Sequence, residues 1–311
     1  MNDLQKKPSF FQNPLVVILG ALLCCALWGS ATPFIKTGYE LLLPERDVPS
    51  TILLAGIRFT LAGMLTVLIS SIARRKPLYP KKENLPKVLI IAAFQTVIQY
   101  IFFYVGLANT SGVKGTILSG SSAFFSVLIA SLIFKQEKLT PKKIIACLLG
   151  LAGIIVVNLQ GLEFTMNFFG DAFVLFSTIS LAFSSVLIKR FSKHEDPVTL
   201  SGYQFIIGGL FMVAVGLAFG GRIVLSSGVG ILVLIYLALL SAIAYALWGM
   251  LLKFNPVSRV TIFSFTTPIF GTLLSMLMLT ESSGVQPLNL ILTLILVSAG
   301  IFMLNYQPKT K

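Results

Sequence analysis

A single arginine, Arg58, stands inside a long apolar stretch of this chain, where a charge is costly to place. The planar guanidinium of arginine can hold a carboxylate through two parallel hydrogen bonds, so Arg58 is a candidate for binding the acid group of a small solute. The alternative is a structural role, in which the side chain binds carbonyl groups of a neighbouring helix or extends to the membrane surface. Gln204 occupies the corresponding place in the second half of the chain and keeps the hydrogen-bonding capacity without the charge.

Aromatic and amide side chains form a second candidate group. Gln99 and Tyr100 lie in the third apolar segment, and Tyr245 and Trp248 lie in the eighth. Trp28 stands in the middle of the first segment rather than at its ends, where tryptophans of membrane proteins usually gather. These five residues could line a cavity that binds an amphipathic solute by hydrogen bonds and ring contacts. The alternative is ordinary packing between helices.

Small hydroxyl residues and two prolines complete the candidates. Ser119, Ser122 and Ser126 follow helical spacing in the fourth segment. Such residues let helices approach closely, so packing is one interpretation, and contact with a solute, predicted for Ser122, is the other. Pro33 and Pro268 lack the N–H of a helical hydrogen bond and are predicted hinges in the first and ninth segments. The first repeat has no proline equivalent to Pro268, so that hinge is expected in one half only.

Residue types that bind metals or cofactors are sparse. The three cysteines, Cys24, Cys25 and Cys147, fall inside apolar segments without the spacing of a metal site, and His194 is the one histidine. Asp and Glu are absent from the cores of the apolar segments, so the sequence offers no set of groups for catalysis at membrane depth. We therefore expect no metal, no cofactor and no enzymatic activity.

Ten apolar segments position these residues. The chain of 311 residues is 56% hydrophobic and 11% charged, whereas a soluble protein has about 25% charged residues. A helix needs about 20 apolar residues to cross a bilayer, and the segments are of that order of length. The sequence therefore predicts an all-α polytopic membrane protein with ten transmembrane helices, at 14–36, 51–73, 86–108, 112–134, 142–160, 169–189, 198–219, 229–252, 257–279 and 287–305.

The second five segments repeat the first five. Matched residues stand 145 or 146 positions apart, as in the pairs Tyr100 with Tyr245 and Phe59 with Phe205. Because each half has an odd number of crossings, the two halves must insert with opposite orientation. We predict two inverted five-helix repeats, 1–160 and 161–311, an architecture that lets one central site open to either side of the membrane in turn.

The net charge of +13 is an orientation signal. With the N-terminus in the cytoplasm, 19 of the 24 Lys and Arg residues fall in cytoplasmic tails and connections, 4 fall outside, and Arg58 lies in a span. The positive-inside rule therefore predicts that both termini are cytoplasmic. Since this distribution accounts for the basic residues, we expect no nucleic-acid partner.

The motifs Trp28–Gly29 and Ala55–Phe59 followed by Ala62–Gly63 stand in the first half. Glu137 and Glu281 at helix ends, followed by Ala152–Gly153 and Ala299–Gly300, stand in the same order in the two halves. With these motifs, residues 14–305 resemble the drug/metabolite transporter superfamily, specifically the EamA-type permeases with ten helices. The resemblance implies that helices one to four and six to nine surround the substrate path, while helices five and ten are peripheral. It also implies an exporter of amino acids and related metabolites.

Together, these observations predict a plasma-membrane transporter that exports amino acids or related small metabolites by alternating access. The alternatives are a multidrug or cation exporter, which usually needs a carboxylate within the membrane, and a membrane scaffold that transports nothing. The expected partners are the lipid bilayer and a small-molecule substrate. The substrate, the direction, the coupling ion and the oligomeric state stay open, and a homodimer is compatible with the sequence.

Overall fold

A computed structural model describes residues 9–159, 167–278 and 286–306. Within these residues the chain forms ten long helices and no β-strand. Nine are long and apolar enough to cross a membrane, and the fifth, with 17 residues, is slightly shorter. The predicted boundary between residues 160 and 161 lies outside the described residues. The helices are α1 (Pro14–Leu42), α2 (Val48–Ala73), α3 (Lys82–Ala108), α4 (Gly112–Ile133), α5 (Pro141–Val157), α6 (Phe168–Phe191), α7 (Pro197–Ala218), α8 (Gly228–Phe254), α9 (Val257–Leu277) and α10 (Pro287–Asn305).

The first helix is longer than predicted. The prediction ended it at residue 36, where the apolar run stops, but α1 continues to Leu42. Lys36 and Glu40 are good helix formers and carry the helix beyond the apolar layer. The helix ends because Pro44 follows, and Leu43 takes the extended backbone that a residue before proline prefers, with φ −104° and ψ 120°.

Both described termini lie at the same end of the bundle. The side-chain amide of Asn255, between α8 and α9, donates to the carbonyl of Phe11 at 2.7 Å. Close by, Arg259 Nε donates to Asn305 Oδ1 at the end of α10, at 3.0 Å. We call this the terminal end, and it also carries the connections 74–81 and 192–196. The opposite end is the distal end, with the connections 43–47, 109–111 and 219–227.

The two repeats meet at an antiparallel crossing of α2 and α7, where glycines let the backbones touch. A Cβ atom on Gly63 would lie 2.5 Å from the carbonyl oxygen of Gly202, and one on Gly56 would lie 2.9 Å from that of Gly209. Gly56 and Gly202 are repeat partners, as are Gly63 and Gly209. The two close contacts are therefore related by the pseudo-two-fold symmetry of an inverted repeat.

A second antiparallel pair, α5 with α10, follows the same symmetry. Thr293 Oγ1 donates to the carbonyl of Gly153 at 2.9 Å, and a Cβ atom on Gly300 would lie 2.7 Å from the carbonyl of Ala146. The residues of these two contacts are repeat partners at an offset of 147. Only 17% of the apolar stretch of α10 is buried, so this helix lies at the periphery of the bundle.

Both α4 and α9 depart from regular α-helix near their middle, although only α9 has a proline there. In α9 a tight 3₁₀ stretch, Ile262–Thr266, directly precedes the segment that holds Pro268. In α4 a turn at Ser121 separates two regular segments. Ser121 stands 145 residues before Thr266, so the two interruptions occupy equivalent places.

Proline is not needed for this interruption. The hydroxyl of Ser121 donates to the carbonyl of Leu118 at 2.5 Å, and those of Ser264 and Thr266 each donate to the carbonyl three residues earlier at 2.7 Å. Such bonds compete with the regular helical ladder and favour tight turns. Pro33, in contrast, lies within an uninterrupted α1. A hinge motion at Pro33 or Pro268 stays a prediction.

A buried carboxylate joins the repeats at the terminal end. Glu137, between α4 and α5, accepts a hydrogen bond from Lys143 Nζ at 2.6 Å and one from the backbone N–H of Ser258, at the start of α9, at 3.1 Å. The side chains of Glu137 and Lys143 are 9% and 16% exposed. Water therefore screens this pair only weakly.

We expect Glu137→Gln to lower the free energy of unfolding by about 1.5–3 kcal/mol, because the amide leaves Lys143 without its buried counter-charge. The control is Glu40→Gln, whose carboxylate is 64% exposed and pairs with Arg46 at 3.1 Å. An exposed pair contributes about 0–1 kcal/mol. Denaturant titration of both variants in detergent micelles measures the difference, and equal losses would contradict the structural role of Glu137.

Candidate functional site

Ring side chains from both repeats meet at the centre of the bundle. The rings of Phe59 on α2 and Phe205 on α7 stack, with centroids 5.0 Å apart and planes 8° apart. The hydroxyls of Tyr100 on α3 and Tyr245 on α8 form a hydrogen bond of 2.9 Å. Each contact joins two repeat partners, so the pseudo-two-fold axis passes through both of them.

The two tryptophans join this group. Trp28 on α1 packs edge-on against Tyr245, with centroids 5.1 Å apart, and against Trp248, with centroids 4.9 Å apart. Edge-to-face contacts of this kind stabilise aromatic pairs beyond the burial of their surface. The central aromatic cluster consists of Trp28, Phe59, Tyr100, Phe205, Tyr245 and Trp248.

Two hydrogen-bonded pairs flank the cluster and also link the repeats. Arg58 Nε and Nη2 donate to Ser241 Oγ at 3.2 and 2.9 Å. Thr96 Oγ1 donates to Gln204 Oε1 at 2.6 Å. Arg58 corresponds to Gln204, and Thr96 corresponds to Ser241, at offsets of 146 and 145. The two bridges are thus symmetry equivalents, one charged and one neutral.

The surroundings of Arg58 leave its charge without a counter-ion. The residue is 5% exposed, and its guanidinium carbon lies 5.0 Å from the centroid of the Phe59 ring. Ser241 Oγ gives its own proton to the carbonyl of Leu237 at 2.9 Å. In the described part of the chain, no carboxylate and no backbone carbonyl accepts a hydrogen bond from Arg58, and Nη1 donates to nothing. Arg58 thus bonds the neighbouring helix α8 through a hydroxyl rather than a carbonyl, and binding of a solute by Arg58 stays a prediction.

Arg58 lines a narrow cleft near the distal end, between α1, α2, α3 and α8. The free space for the centre of a water-sized sphere is about 10 Å³, which is room for about one water molecule. A solute the size of a metabolite can enter only if these helices separate. Besides Arg58, the cleft is lined by aliphatic and tyrosine side chains, namely those of Ile35, Tyr39, Leu54, Ala55, Tyr104, Leu234 and Leu237.

The symmetry-equivalent region towards the terminal end is packed. Ser201, the repeat partner of Ala55, is 2% exposed and donates to the carbonyl of Tyr245 at 3.2 Å. Gly249 stands where the first repeat has Tyr104, so that position presents no side chain. The two ends therefore carry different side chains although their helices are arranged symmetrically.

Polar contacts between the repeats hold the terminal end together. Glu195, between α6 and α7, accepts hydrogen bonds from the backbone N–H of Lys81 at 2.9 Å and from the side-chain amide of Asn84 at 3.0 Å. Beside them, Arg74 at the end of α2 pairs with Asp196 at 3.2 Å. We call Glu195, Lys81 and Asn84 the terminal latch, because they tie a connection of the first repeat to one of the second.

A wide turn in α3 positions the polar residues of that helix. The backbone from Ala92 to Ile98 is π-helical, and it contains Gln95 and Thr96, which are 1% and 0% exposed. The hydroxyl of Ser180 on α6 donates to the carbonyl of Phe94 within this turn, at 2.6 Å. Wide turns of this kind occur often at functional sites.

Some buried polar atoms near the cluster have no hydrogen-bond partner among the described residues. They are Trp28 Nε1, Gln95 Oε1, Gln99 Oε1 and Gln204 Nε2. Buried polar groups in proteins are nearly always paired, so atoms of this kind indicate places for water or a ligand. A polar solute at the cluster could satisfy them.

The structure brings the four predicted aromatic residues together in the central aromatic cluster. Arg58 and Gln204 directly precede the two phenylalanines of the cluster and form the flanking bridges. Gln99 is buried beside Tyr100 in the chain. Ser122 is buried in α4, and no hydrogen bond or ring contact links it to the cluster within the described residues. Solute binding by all of these residues stays a prediction.

Three residues of this arrangement were absent from the predicted site: Phe59, Phe205 and Thr96. Phenylalanine carries no polar signal in an apolar segment, and hydroxyl residues are common packing residues in membrane helices. The repeat offset was the signal that could have found them. Each belongs to a pair separated by 145 or 146 residues whose members both contact the other repeat.

Two inverted five-helix repeats around a polar and aromatic centre define the class of polytopic membrane transporters. The model of the EamA-like transporter family matches the chain at residues 15–159 and 168–306, once in each repeat. The chain belongs to this family. The match confirms the resemblance drawn from the sequence motifs and the predicted fold class.

Named relatives agree with this assignment. An uncharacterized transporter of Archaeoglobus fulgidus is 26% identical over 83% of this chain and 88% of its own length. The WAT1-related protein At3g02690, chloroplastic, of Arabidopsis thaliana is 25% identical over 88% of this chain and 68% of its own length. A protein crystal structure superposes with a TM-score of 0.76 at 18% identity, covering 92% of this chain and 95% of the other, which shows the fold alone.

Proposed function

We propose that this transporter exports amino acids or related small metabolites across the plasma membrane by alternating access. The observation that carries the proposal is the meeting of repeat partners at the centre, where Phe59 stacks on Phe205 and Tyr100 bonds Tyr245. An inverted repeat has two equivalent ways to open, one towards each side of the membrane. Both of these open states can keep the contacts that lie on the symmetry axis.

The difference between the two ends supports the same mechanism. The distal end has the narrow cleft beside Arg58, whereas the terminal end is packed and latched by Glu195. In the proposed cycle the latch opens as the cleft closes. The solute takes the place of ring contacts in the cluster, and its polar groups satisfy the unpaired amide and indole atoms. We propose residues 1–160 and 161–311 as the two moving units, hinges at Pro33 and Pro268, and a contact with the solute at Ser122.

The distribution of basic residues supports an orientation with both termini in the cytoplasm. The terminal end would then face the cytoplasm, and the cleft beside Arg58 would face outwards. An exporter would load when the latch is open and release through the cleft.

Purified protein in liposomes, tested with a panel of labelled amino acids, is the experiment for this proposal. We expect flux of at least one amino acid above that of empty liposomes. Trp248→Leu should weaken apparent affinity about two- to tenfold, because a lost aromatic contact costs about 0.5–1.5 kcal/mol. Phe302→Leu, which removes a 65% exposed ring from α10, is the control. Absence of flux for every amino acid would overturn the amino-acid proposal.

A further inference from the structure

The feature that carries a further inference is the difference between the two polar bridges. Gln204 and Thr96 link α7 to α3 by a neutral hydrogen bond of 2.6 Å. The equivalent bridge uses Arg58, whose hydrogen bonds to Ser241 are longer, at 2.9 and 3.2 Å. A neutral hydrogen bond is enough to link α7 to α3. The equivalent contact between α2 and α8 therefore does not require the charge of Arg58.

Burial makes that charge costly unless something compensates it. Arg58 is 5% exposed, and in the described part of the chain its hydrogen bonds go to Ser241 alone. A guanidinium has five N–H groups, and those of Nη1 have no acceptor there. A buried charge normally has a partner of opposite sign. An anion that enters the cleft would supply one.

The residues that line the cleft indicate which kind of anion it could bind. Among the described residues, no Asp or Glu lines the cleft, and the polar residues beside Arg58 are Tyr39 and Tyr104. The planar fork of arginine fits a carboxylate, and a tyrosine hydroxyl can donate a further hydrogen bond to it. The remaining walls are aliphatic and suit an apolar body. An ammonium group would meet no carboxylate among the described residues that line the cleft.

We propose that the transported solute is an organic acid that is recognised through its carboxylate by Arg58, and that an amino group on the solute contributes little to binding. This inference rests on the proposed function and specifies its substrate class. It predicts that a deaminated acid binds as well as the amino acid, whereas an amide or an ester does not bind. A cationic drug is excluded by the same charge.

Three compounds with the same aromatic body test the assignment, namely phenylalanine, 3-phenylpropanoate and phenylalaninamide. Binding is measured as thermal stabilisation of the detergent-purified protein and as competition with amino-acid flux in liposomes. We expect the two acids to bind with affinities within about threefold of each other and the amide to bind at least about tenfold more weakly, as loss of a charge-assisted hydrogen bond requires.

Arg58→Gln installs the residue that the second repeat has at this position. We expect it to weaken binding of 3-phenylpropanoate about ten- to hundredfold. Arg58→Lys keeps the charge but lacks the planar fork, so it should weaken binding of 3-phenylpropanoate less. The lysine variant also provides the test if the glutamine variant does not fold. Arg222→Gln removes an exposed charge from the same end of the bundle and should leave binding unchanged.

Binding of phenylalaninamide as tight as that of the two acids, or unchanged acid binding in both folded Arg58 variants, would overturn the assignment. Failure of the transport proposal gives a different result. Acid-selective binding without flux would remove transport and keep the role of Arg58. Flux with a preference for the amide would keep transport and remove that role.

Discussion

Gly63→Leu is expected to abolish folding, because α2 and α7 would no longer be able to cross at their present distance. A Cβ atom on Gly63 would lie 2.5 Å from the carbonyl oxygen of Gly202 and 2.7 Å from the backbone nitrogen of Ile206. Both obstacles are backbone atoms, which cannot turn aside as a flexible side chain can. The larger side chain therefore has to separate the two repeats at their main contact.

Gly63→Ala gives the graded form of this experiment. We expect a loss of at least about 2 kcal/mol in the free energy of unfolding from overpacking. Gly38→Ala is the matched control, since Gly38 is also a buried helical glycine but its nearest neighbour would be a methyl group of Val233 at 3.5 Å. Alanine favours the helix by about 0.5–1 kcal/mol, so the control should be neutral or stabilising.

Size-exclusion chromatography in detergent reports the folded yield of Gly63→Leu, and denaturant titration reports the stability of the alanine variants. A monodisperse Gly63→Leu protein with normal yield would show that the crossing can widen. Equal stability of Gly63→Ala and Gly38→Ala would lead to the same conclusion.

The second large effect is expected at the terminal latch. In a Ser201→Cys background, Glu195→Ala should raise the rate of reaction with a membrane-impermeant thiol reagent about ten- to hundredfold. Glu195 accepts hydrogen bonds from Lys81 and Asn84 at 2.9 and 3.0 Å. Each hydrogen bond to a charged group contributes about 1.5–3 kcal/mol. Loss of that energy from the closed state would raise the population of the state open at the terminal end by about the same ten- to hundredfold.

Ser201 is suited to this measurement because it is 2% exposed here and is the repeat partner of Ala55, which lines the distal cleft. Opening of the terminal end should expose the side chain at position 201 to the reagent. The three native cysteines are fully buried, so the parent chain should provide a low background.

Glu83→Ala removes an exposed carboxylate from the same end and controls for the change in surface charge. Glu195→Gln keeps an acceptor oxygen and should have a smaller effect than Glu195→Ala. Equal rates in the Glu195→Ala and Glu83→Ala variants would show that the latch does not govern opening. Reagent added from one side of sealed vesicles also tests whether the terminal end is cytoplasmic.

Helix number could be predicted from sequence because it follows from local composition. Each segment needs enough apolar residues to cross the lipid, and that property can be counted without knowledge of its neighbours. The end of α1 was missed because apolar character stops at Lys36, whereas the helix continues until Pro44 prevents it. The turn at Ser121 in α4 was missed because no proline marks it there.

The site was only partly predictable for a related reason. Tyr100 and Tyr245 could be paired in advance, since the offset of 145 residues identifies them as symmetry equivalents. The offset does not say whether two equivalents touch each other or only occupy similar places. Their hydrogen bond of 2.9 Å depends on how α3 and α8 cross.

The sequence by itself determined the class of this protein, its ten helices, its duplication and the family to which it belongs, because hydropathy and repeated spacing are properties of the chain alone. Tertiary structure alone decided that Arg58 faces Ser241, 183 positions away, and that one end of the bundle has a cleft while the other is latched. These features depend on helix crossings set by glycine contacts and by hydrogen bonds between the repeats. In such contacts the distances between atoms, rather than the composition of any one segment, determine which groups meet.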